Sequence, residues 1–223
     1  MPNCSHLLVA PTAFELSAVL EKIPKVKLER AHCCLCGFGS IAAAARTASL
    51  IHQYRPAVVV LAGIAGSLDT QSDIGMSYEF STVRSYGIGV GAGEKFQAAE
   101  EMGWRQWPDN DEPDDGSFGD VIQWESSRLG QLQHQNEGEL LSVCSASSSR
   151  EEAELRKKQF PAATAEDMEG FAVAAACTML KVPCVVIRGI SNMAGDRDQQ
   201  NWHIEEALRN VSNHVGHFLV NSK

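Results

Sequence analysis

Short apolar segments alternate along the chain with longer segments of helical periodicity, and this alternation constrains the fold more than any other feature. The apolar segments are partly β-branched and several end at Gly or Pro, which is typical of buried strands; they lie at residues 6–10, 31–36, 57–62, 140–144, 162–165 and 184–190. Helix-like patterns lie at residues 14–23, 41–54, 149–159, 170–180 and 198–220. The alternation predicts an α/β fold in which helices cover both faces of a central sheet.

One long segment departs from this pattern. Residues 85–135 have poor periodicity and include three of the four Trp, a glycine cluster at 87–93 and an acidic run at 109–115. We expect an irregular excursion here, which is either a long surface loop or a lid or subunit contact. Because 223 residues suffice to bury one sizeable core without disulfides, residues 1–223 are predicted to form a single domain.

Charge and hydropathy exclude two classes of partner. A formal net charge of -9 provides no basic surface for nucleic acid or for an anionic membrane. No apolar run approaches the ~20 residues that cross a bilayer, and no secretory signal precedes the first strand, so we expect a cytoplasmic protein. The seven cysteines lie mostly in apolar segments, which favours reduced core cysteines over a metal or redox site.

Ligands of α/β sheets bind beyond the carboxyl ends of the strands, so the segments that follow each strand are candidate sites. Residues 37–42, Gly-Phe-Gly-Ser-Ile-Ala, match a dinucleotide-binding pattern but lack the acidic residue expected about 20 positions later. They predict a tight strand-to-helix turn rather than a nicotinamide or flavin site. Residues 63–66, Gly-Ile-Ala-Gly, would expose backbone N–H groups to a ligand, although a simple turn would have the same sequence.

Three acids, Glu166, Asp167 and Glu169, follow the strand predicted at 162–165. Acids on the first turn of a helix complement the helix dipole, which accounts for Glu166 or Asp167. It accounts less well for Glu169, because residues 171–179 are almost wholly apolar and predict burial. A buried carboxylate needs partners, and the hydroxyl groups of a ribose would supply paired donors.

Arg188 lies within an apolar strand, where an arginine is almost never fully buried without a partner. We therefore expect an acidic partner near the end of that strand. Glu15, on the first turn of the first helix, is one candidate. Taken alone, Glu15 could equally be an ordinary acid at a helix N-terminus.

Together these segments resemble the purine nucleosidase branch of the nucleoside phosphorylase/hydrolase superfamily, and within it the futalosine hydrolases. The resemblance rests on Pro11-Thr12-x-x-Glu15, Gly63-Ile64-Ala65-Gly66, Glu166-Asp167-Met168-Glu169-Gly170 and the segment from Arg188-Gly189-Ile190-Ser191-Asn192 to Trp202. It thins out over residues 85–135. It implies a single-domain α/β fold with a central mixed, partly barrel-like sheet, a purine nucleoside as substrate, no metal or organic cofactor, and a homodimer or larger assembly.

The resemblance also implies roles for ten residues. Glu15 would hold and activate a water molecule, Arg188 would orient that water or Glu15, and Glu169 would bind the 2′- and 3′-hydroxyl groups of the ribose. Asn192 would contact the base. The residues expected to bind the rest of the substrate are Thr12, Ile64, Ala65, Gly66, Ser147 and Met168.

Residue chemistry favours water over phosphate as the nucleophile, because the first loop contains no Arg and Glu15 would repel the anion. The expected reaction is cleavage of futalosine to hypoxanthine and dehypoxanthine futalosine, a step towards menaquinone. The alternatives are a methylthioadenosine/S-adenosylhomocysteine or aminodeoxyfutalosine nucleosidase, in which Asp replaces Asn192, and a nucleoside-binding protein without catalysis. Contacts to the 5′ substituent are left open among Arg84, Arg105 and Arg128.

Overall fold

The computed structural model describes residues 5–29, 31–69, 74–107, 117–124, 135–136 and 138–221. Cys4, Arg128 and the acidic run at 109–115 lie outside these ranges. The strands are β1 His6–Ala10, β2 Ala31–Leu35, β3 Val58–Ser67, β4 Ser77–Phe80, β5 Thr82–Tyr86, β6 Gly89–Val90, β7 Gln97–Ala98, β8 Val121–Gln123, β9 Gln135–Asn136, β10 Glu139–Val143, β11 Ala163–Asp167 and β12 Cys184–Met193. The helices are α1 Ala13–Glu21, α2 Lys25–Leu28, α3 Ser40–Tyr54, α4 Arg150–Gln159, α5 Gly170–Met179 and α6 Ile204–Asn221.

The central sheet is mixed, with the strand order β8-β5-β10-β11-β3-β12-β4-β9 and with β1 and β2 attached beside β3. The strand β3 pairs in parallel with β1 and β12, and its last residues pair antiparallel with β11. Its carboxyl end therefore meets the carboxyl ends of β11 and β12. The predicted α/β class, with a mixed sheet flanked by helices, is confirmed.

Helices cover both faces of this sheet, as the apolar strand sequences require. On one face α3 and α5 pack through side chains such as Leu50 and Val173. On the other face α1 and α6 pack through side chains such as Val19, Leu208 and Val215. Each buried aliphatic side chain of this kind contributes about 1.5–3 kcal/mol relative to its exposed state.

Two strands are longer than the apolar runs predict. The apolar pattern of β3 ends at Ala62, yet the strand continues through the segment 63–66 to Ser67, and β12 continues beyond Ile190 to Met193. The reason is mutual pairing, because Arg188 to Met193 lie beside Gly63 to Ser67 along the two strands. Backbone hydrogen bonds to a neighbouring strand do not depend on apolar side chains. The segment 63–66 is thus strand rather than a turn.

The irregular excursion is partly regular in the structure. Its described residues form a small hairpin of β6 and β7 and the edge strand β8, which pairs antiparallel with β5. Among the cysteines, Cys36 and Cys177 are buried as expected, whereas Cys144 is exposed because it follows the last residue of β10. Within the described ranges, no helix combines the length and apolar character that a membrane crossing requires.

Candidate active site

A cavity of about 340 Å³ lies where the chain leaves β1, β3, β11 and β12. This volume is within the range of small-molecule sites. Of the ten residues singled out from the sequence, eight line the cavity: Thr12, Glu15, Ile64, Ala65, Gly66, Met168, Glu169 and Asn192. Arg188 lies directly behind the lining, and Ser147 lies outside it.

Glu15 is held at the cavity wall by the start of α1. Thr12 is the N-cap of this helix, and its hydroxyl accepts a hydrogen bond from the Glu15 N–H at 3.2 Å. The same hydroxyl donates to Glu15 Oε2 at 2.7 Å, and the Ile64 N–H donates to Glu15 Oε1 at 3.1 Å. The buried carboxylate is therefore fixed between the first helix and β3.

Arg188 is fully buried and pairs with two acids at the end of β11. Its Nε and Nη2 donate to Asp167 Oδ2 at 3.0 and 2.5 Å, and Nη2 also donates to Glu169 Oε2 at 3.2 Å. The expected acidic partner is thus present, but the candidate named from the sequence, Glu15, forms no ion pair with Arg188 among the described residues. The third nitrogen, Nη1, has no hydrogen-bond partner there. A Cβ at Gly63 would collide with both Arg188 Nη1 and Glu15 Oε1, so these two atoms lie close together on the same side of this glycine.

Glu169 is buried, as its apolar surroundings predict. Its Oε1 accepts a hydrogen bond of 2.9 Å from the Gly39 N–H, which comes from the turn of the glycine-rich segment 37–42. The positive φ angles of Gly37 and Gly39 shape this turn, at 91° and 79°. The glycine-rich segment thus makes the tight turn predicted for it and in addition supplies a donor to Glu169.

Burial raises the pKa of Glu169 from 4.5 to about 7. The positive charge of Arg188 lowers this pKa, while the negative charge of Asp167 raises it. Burial likewise works against the charge of Arg188, but the carboxylates of Asp167, Glu169 and Glu15 outweigh it and raise the pKa of the guanidinium. The arginine stays charged, and Glu169 can change its protonation near neutral pH.

Asn192 reaches the cavity because β12 is irregular. The pairing register with β3 shifts between Ile190 and Asn192, which is a β-bulge. Successive residues of a regular strand face opposite sides, yet both Ser191 and Asn192 line the cavity here. Asn192 Nδ2 donates to the Met193 carbonyl at 2.8 Å, and Oδ1 accepts from the Ser191 hydroxyl at 2.7 Å. One N–H and one lone pair of the amide remain for a ligand.

Ser147 belongs to a buried ion network instead of the cavity lining. Its N–H and its hydroxyl both donate to Glu166 at 2.8 Å. Arg156 Nη1 donates to Glu166 Oε2 at 2.7 Å and to the Ser147 hydroxyl at 3.0 Å. Ala146 and Glu166 line the cavity, so this network fixes one wall of the site from behind.

Sequence reasoning missed several residues of the site. The helix dipole alone would account for Asp167, yet this residue is the main partner of Arg188. Phe14, Phe38, Arg197 and Trp202 also line the cavity. Arg197 and Trp202 stand in the motif segment that ends at Trp202, so the motif was a usable signal for them. Exposed Phe residues carry no such signal in a single sequence.

Two of the three arginines considered for the 5′ substituent lie away from the cavity. Arg84 pairs with Glu139 at 2.5 Å, and Arg105 is exposed; neither lines the cavity. Arg128 is outside the described residues. Within the described ranges, no group of three or more His, Cys, Asp or Glu could hold a metal ion.

Comparison with known proteins defines the class to which this α/β chain and its cavity belong. A family model described as the Phosphorylase superfamily matches residues 21–220. The chain therefore belongs to the Phosphorylase superfamily.

Two characterised relatives and one solved structure refine this result. A futalosine hydrolase of Streptomyces coelicolor is 28% identical over 71% of this chain and 63% of that protein, so the chain spans about three-fifths of that relative. A 5′-methylthioadenosine/S-adenosylhomocysteine nucleosidase of Colwellia psychrerythraea is 31% identical over 82% of this chain and 76% of that protein. The Colwellia nucleosidase structure in complex with adenine has a TM-score of 0.77, 22% identity, and coverage of 98% and 95% of the two chains. Relatives of this chain thus include a nucleosidase and a futalosine hydrolase, and the solved structure shows a shared fold.

Proposed function

We propose that the protein hydrolyses the N-ribosidic bond of a purine nucleoside and that this nucleoside is futalosine. The observation that carries the proposal is that Arg188 Nη1 and Glu15 Oε1 converge on one point, 2.2 and 2.7 Å from the place that a Cβ on Gly63 would take. One is a carboxylate acceptor and the other is a buried donor without a hydrogen-bond partner among the described residues. Such a pair suits a water molecule that is held by the donor and deprotonated by the acceptor.

The chemistry that follows needs positive charge to be stabilised at the ribose. The C1′–N9 bond breaks, its electron pair leaves with the base, and the sugar becomes an oxocarbenium-like cation. Water adds to C1′ and gives one proton to Glu15, while the base takes up a proton from solvent at N7. Glu15 then releases its proton to solvent, so that one water molecule is consumed in each turnover. Glu169, when ionised, accepts from the 2′- and 3′-hydroxyl groups and adds negative charge near the cation.

Asn192 supports a 6-oxopurine as the leaving base. Its free N–H can donate to O6 of hypoxanthine, and its free lone pair can accept from the protonated N7. Adenine presents an amino group where hypoxanthine presents O6, so one polar group would be mispaired in either orientation of the amide. A buried unsatisfied group costs about 1–3 kcal/mol, or roughly 5- to 150-fold in relative rate.

The relatives support both substrates. The Streptomyces protein supports futalosine, and the Colwellia protein supports the alternative, an adenine nucleoside such as methylthioadenosine. Asn192 favours the first, because an aspartate in its place would accept from an amino group. We further propose that the protein is a cytoplasmic homo-oligomer.

The decisive experiment identifies the base that is released. The protein is incubated with futalosine, aminodeoxyfutalosine, methylthioadenosine and inosine, with and without phosphate and EDTA. We expect hypoxanthine from futalosine at the highest kcat/KM, with no change on adding EDTA or phosphate. Preference for the adenine nucleosides would overturn the futalosine assignment, and a sugar 1-phosphate product would overturn hydrolysis.

A substitution that replaces only the NH₂ group of the amide by oxygen tests whether Asn192 selects the base. Asn192→Asp should lose activity on futalosine and gain relative activity on methylthioadenosine. If the ratio of kcat/KM for the two substrates changes less than about threefold, Asn192 does not select the base.

A further inference from the structure

The mouth of the cavity is lined by exposed side chains, whereas its floor is lined by buried ones. The residues assigned to the water, ribose and base, Glu15, Glu169 and Asn192, are all buried. Phe14 and Phe38 also line the cavity but are 61% and 65% exposed. Because Asn192 places the base on the buried side, the 5′ carbon of a bound nucleoside faces the exposed side.

Arg197 is the only lysine or arginine among the described residues that line this cavity. It is exposed, and no carboxylate in the described ranges forms an ion pair with it. Its guanidinium carbon lies 5.1 Å from the centroid of the Trp202 ring, which is a cation–π contact. The charge of Arg197 is therefore available to a ligand.

The loop that carries Arg197 is held in one conformation by its own hydrogen bonds. The Trp202 indole N–H donates to the Asp196 carbonyl at 3.0 Å, and Asn201 Nδ2 donates to Asp196 Oδ2 at 2.9 Å. Gly195 has a φ of 85° and sits so close to Ser149 that a side chain there would collide with its carbonyl. A loop closed in this way reduces the entropy lost when Arg197 binds.

Carboxylates elsewhere in the site also bear on anion binding, because a negative charge near the ligand would repel it. Asp167 and Glu169 are paired with Arg188, and Glu166 is paired with Arg156. These carboxylates and that of Glu15 lie towards the buried side of the site. Asp196 and Asp198, which stand beside Arg197 in the loop, accept hydrogen bonds from the Asn201 side chain and from the Gln200 N–H. An anion at the mouth meets the guanidinium first.

We propose that Arg197 selects nucleosides whose 5′ substituent ends in an anionic group, with Phe14 and Phe38 contacting the apolar part of that substituent. This inference rests on the proposed function, since it uses the same site and the same orientation of the nucleoside. Futalosine, whose 5′ substituent ends in an aromatic carboxylate, has the chemistry that this mouth accepts. Guanidinium and carboxylate groups form two parallel hydrogen bonds, which lysine cannot reproduce.

Equilibrium binding tests this inference without turnover. Futalosine and its methyl ester, in which the carboxylate is neutralised, are titrated into Glu15→Gln protein with and without a second substitution, Arg197→Gln. We expect Arg197→Gln to weaken futalosine binding about tenfold and to change binding of the methyl ester less than about twofold. Arg197→Lys should retain part of the affinity, and Arg209→Gln, at an exposed arginine of α6, should change neither ligand.

Hydrolysis by the wild-type protein separates failure of this inference from failure of the proposed function. If futalosine is cleaved but its Kd is indifferent to Arg197→Gln, or if the ester loses affinity equally, the inference is wrong and the function stands. If futalosine binds in an Arg197-dependent manner but is not cleaved, the function is wrong and the inference stands. If futalosine does not bind at all, both are wrong.

Discussion

Glu169→Gln should change the pH dependence of stability, because Glu169 binds its proton more tightly in the folded protein. Burial raises its pKa from 4.5 to about 7, so between these values the folded state holds one proton more than the unfolded state. The free energy of unfolding therefore falls as pH rises through this interval. At about 1.36 kcal/mol per pH unit, the loss amounts to about 3 kcal/mol.

Glutamine does not titrate, so the variant escapes this loss. The stability of Glu169→Gln relative to wild type should increase by up to about 3 kcal/mol from pH 4.5 to pH 8 and level off above it. Urea unfolding of both proteins across this range measures the difference. Glu205→Gln, at an exposed acid of α6, is the matched control for loss of one carboxyl. A difference that stays flat or decreases with pH would refute the reasoning.

Three further substitutions test the site. Glu15→Gln should lower kcat by about 10²- to 10⁴-fold with little change in Kd, and a variant that keeps more than about a tenth of the activity would remove Glu15 from the mechanism. Gly63→Ala should lower kcat/KM at least about tenfold, because its Cβ would displace Glu15, whereas Gly216→Ala, whose Cβ has nothing closer than 3.8 Å, should not. Glu166→Gln should reduce the free energy of unfolding by about 1.5–3 kcal/mol in urea titrations, because it removes the buried ion pair with Arg156 and leaves this arginine only its pair with Glu152; a loss below about 1 kcal/mol would contradict a contribution of the buried ion pair.

Features of the site could be predicted from the sequence where they depend on residues nearby along the chain. The apolar helix after Glu169 predicted its burial, and the position of Glu15 three residues after Thr12 predicted a place on the first turn of a helix. The partner of Arg188 could not be predicted, because Asp167 ends β11, Glu169 follows it, and the fold alone decides which carboxylate faces the guanidinium. Glu15, the one candidate that the sequence offered, forms no ion pair with Arg188 in the described residues.

Features that depend on pairing between strands far apart along the chain could not be predicted from the sequence either. The extension of β3 through Gly66 comes from its contacts with β11 and β12, which are far away along the chain. The bulge that turns Asn192 to the cavity likewise exists only in the paired sheet. Ser147, for which a substrate contact stays a prediction, lies outside the cavity lining, and its local sequence of serines contains no sign of the buried Glu166 and Arg156 that bind it.

The position of β12 in the chain determines the order in which the site can be completed. Ribosomal synthesis delivers Glu15, Asp167 and Glu169 before Arg188, so the carboxylates precede the guanidinium that pairs with two of them. Until β12 has been made, β3 lacks a strand on one side, and an unpaired strand edge favours association with other chains. A nascent chain that stalls before residue 184 would therefore carry its acids without their counter-charge and its central strand without its neighbour, which makes it a natural target for chaperones.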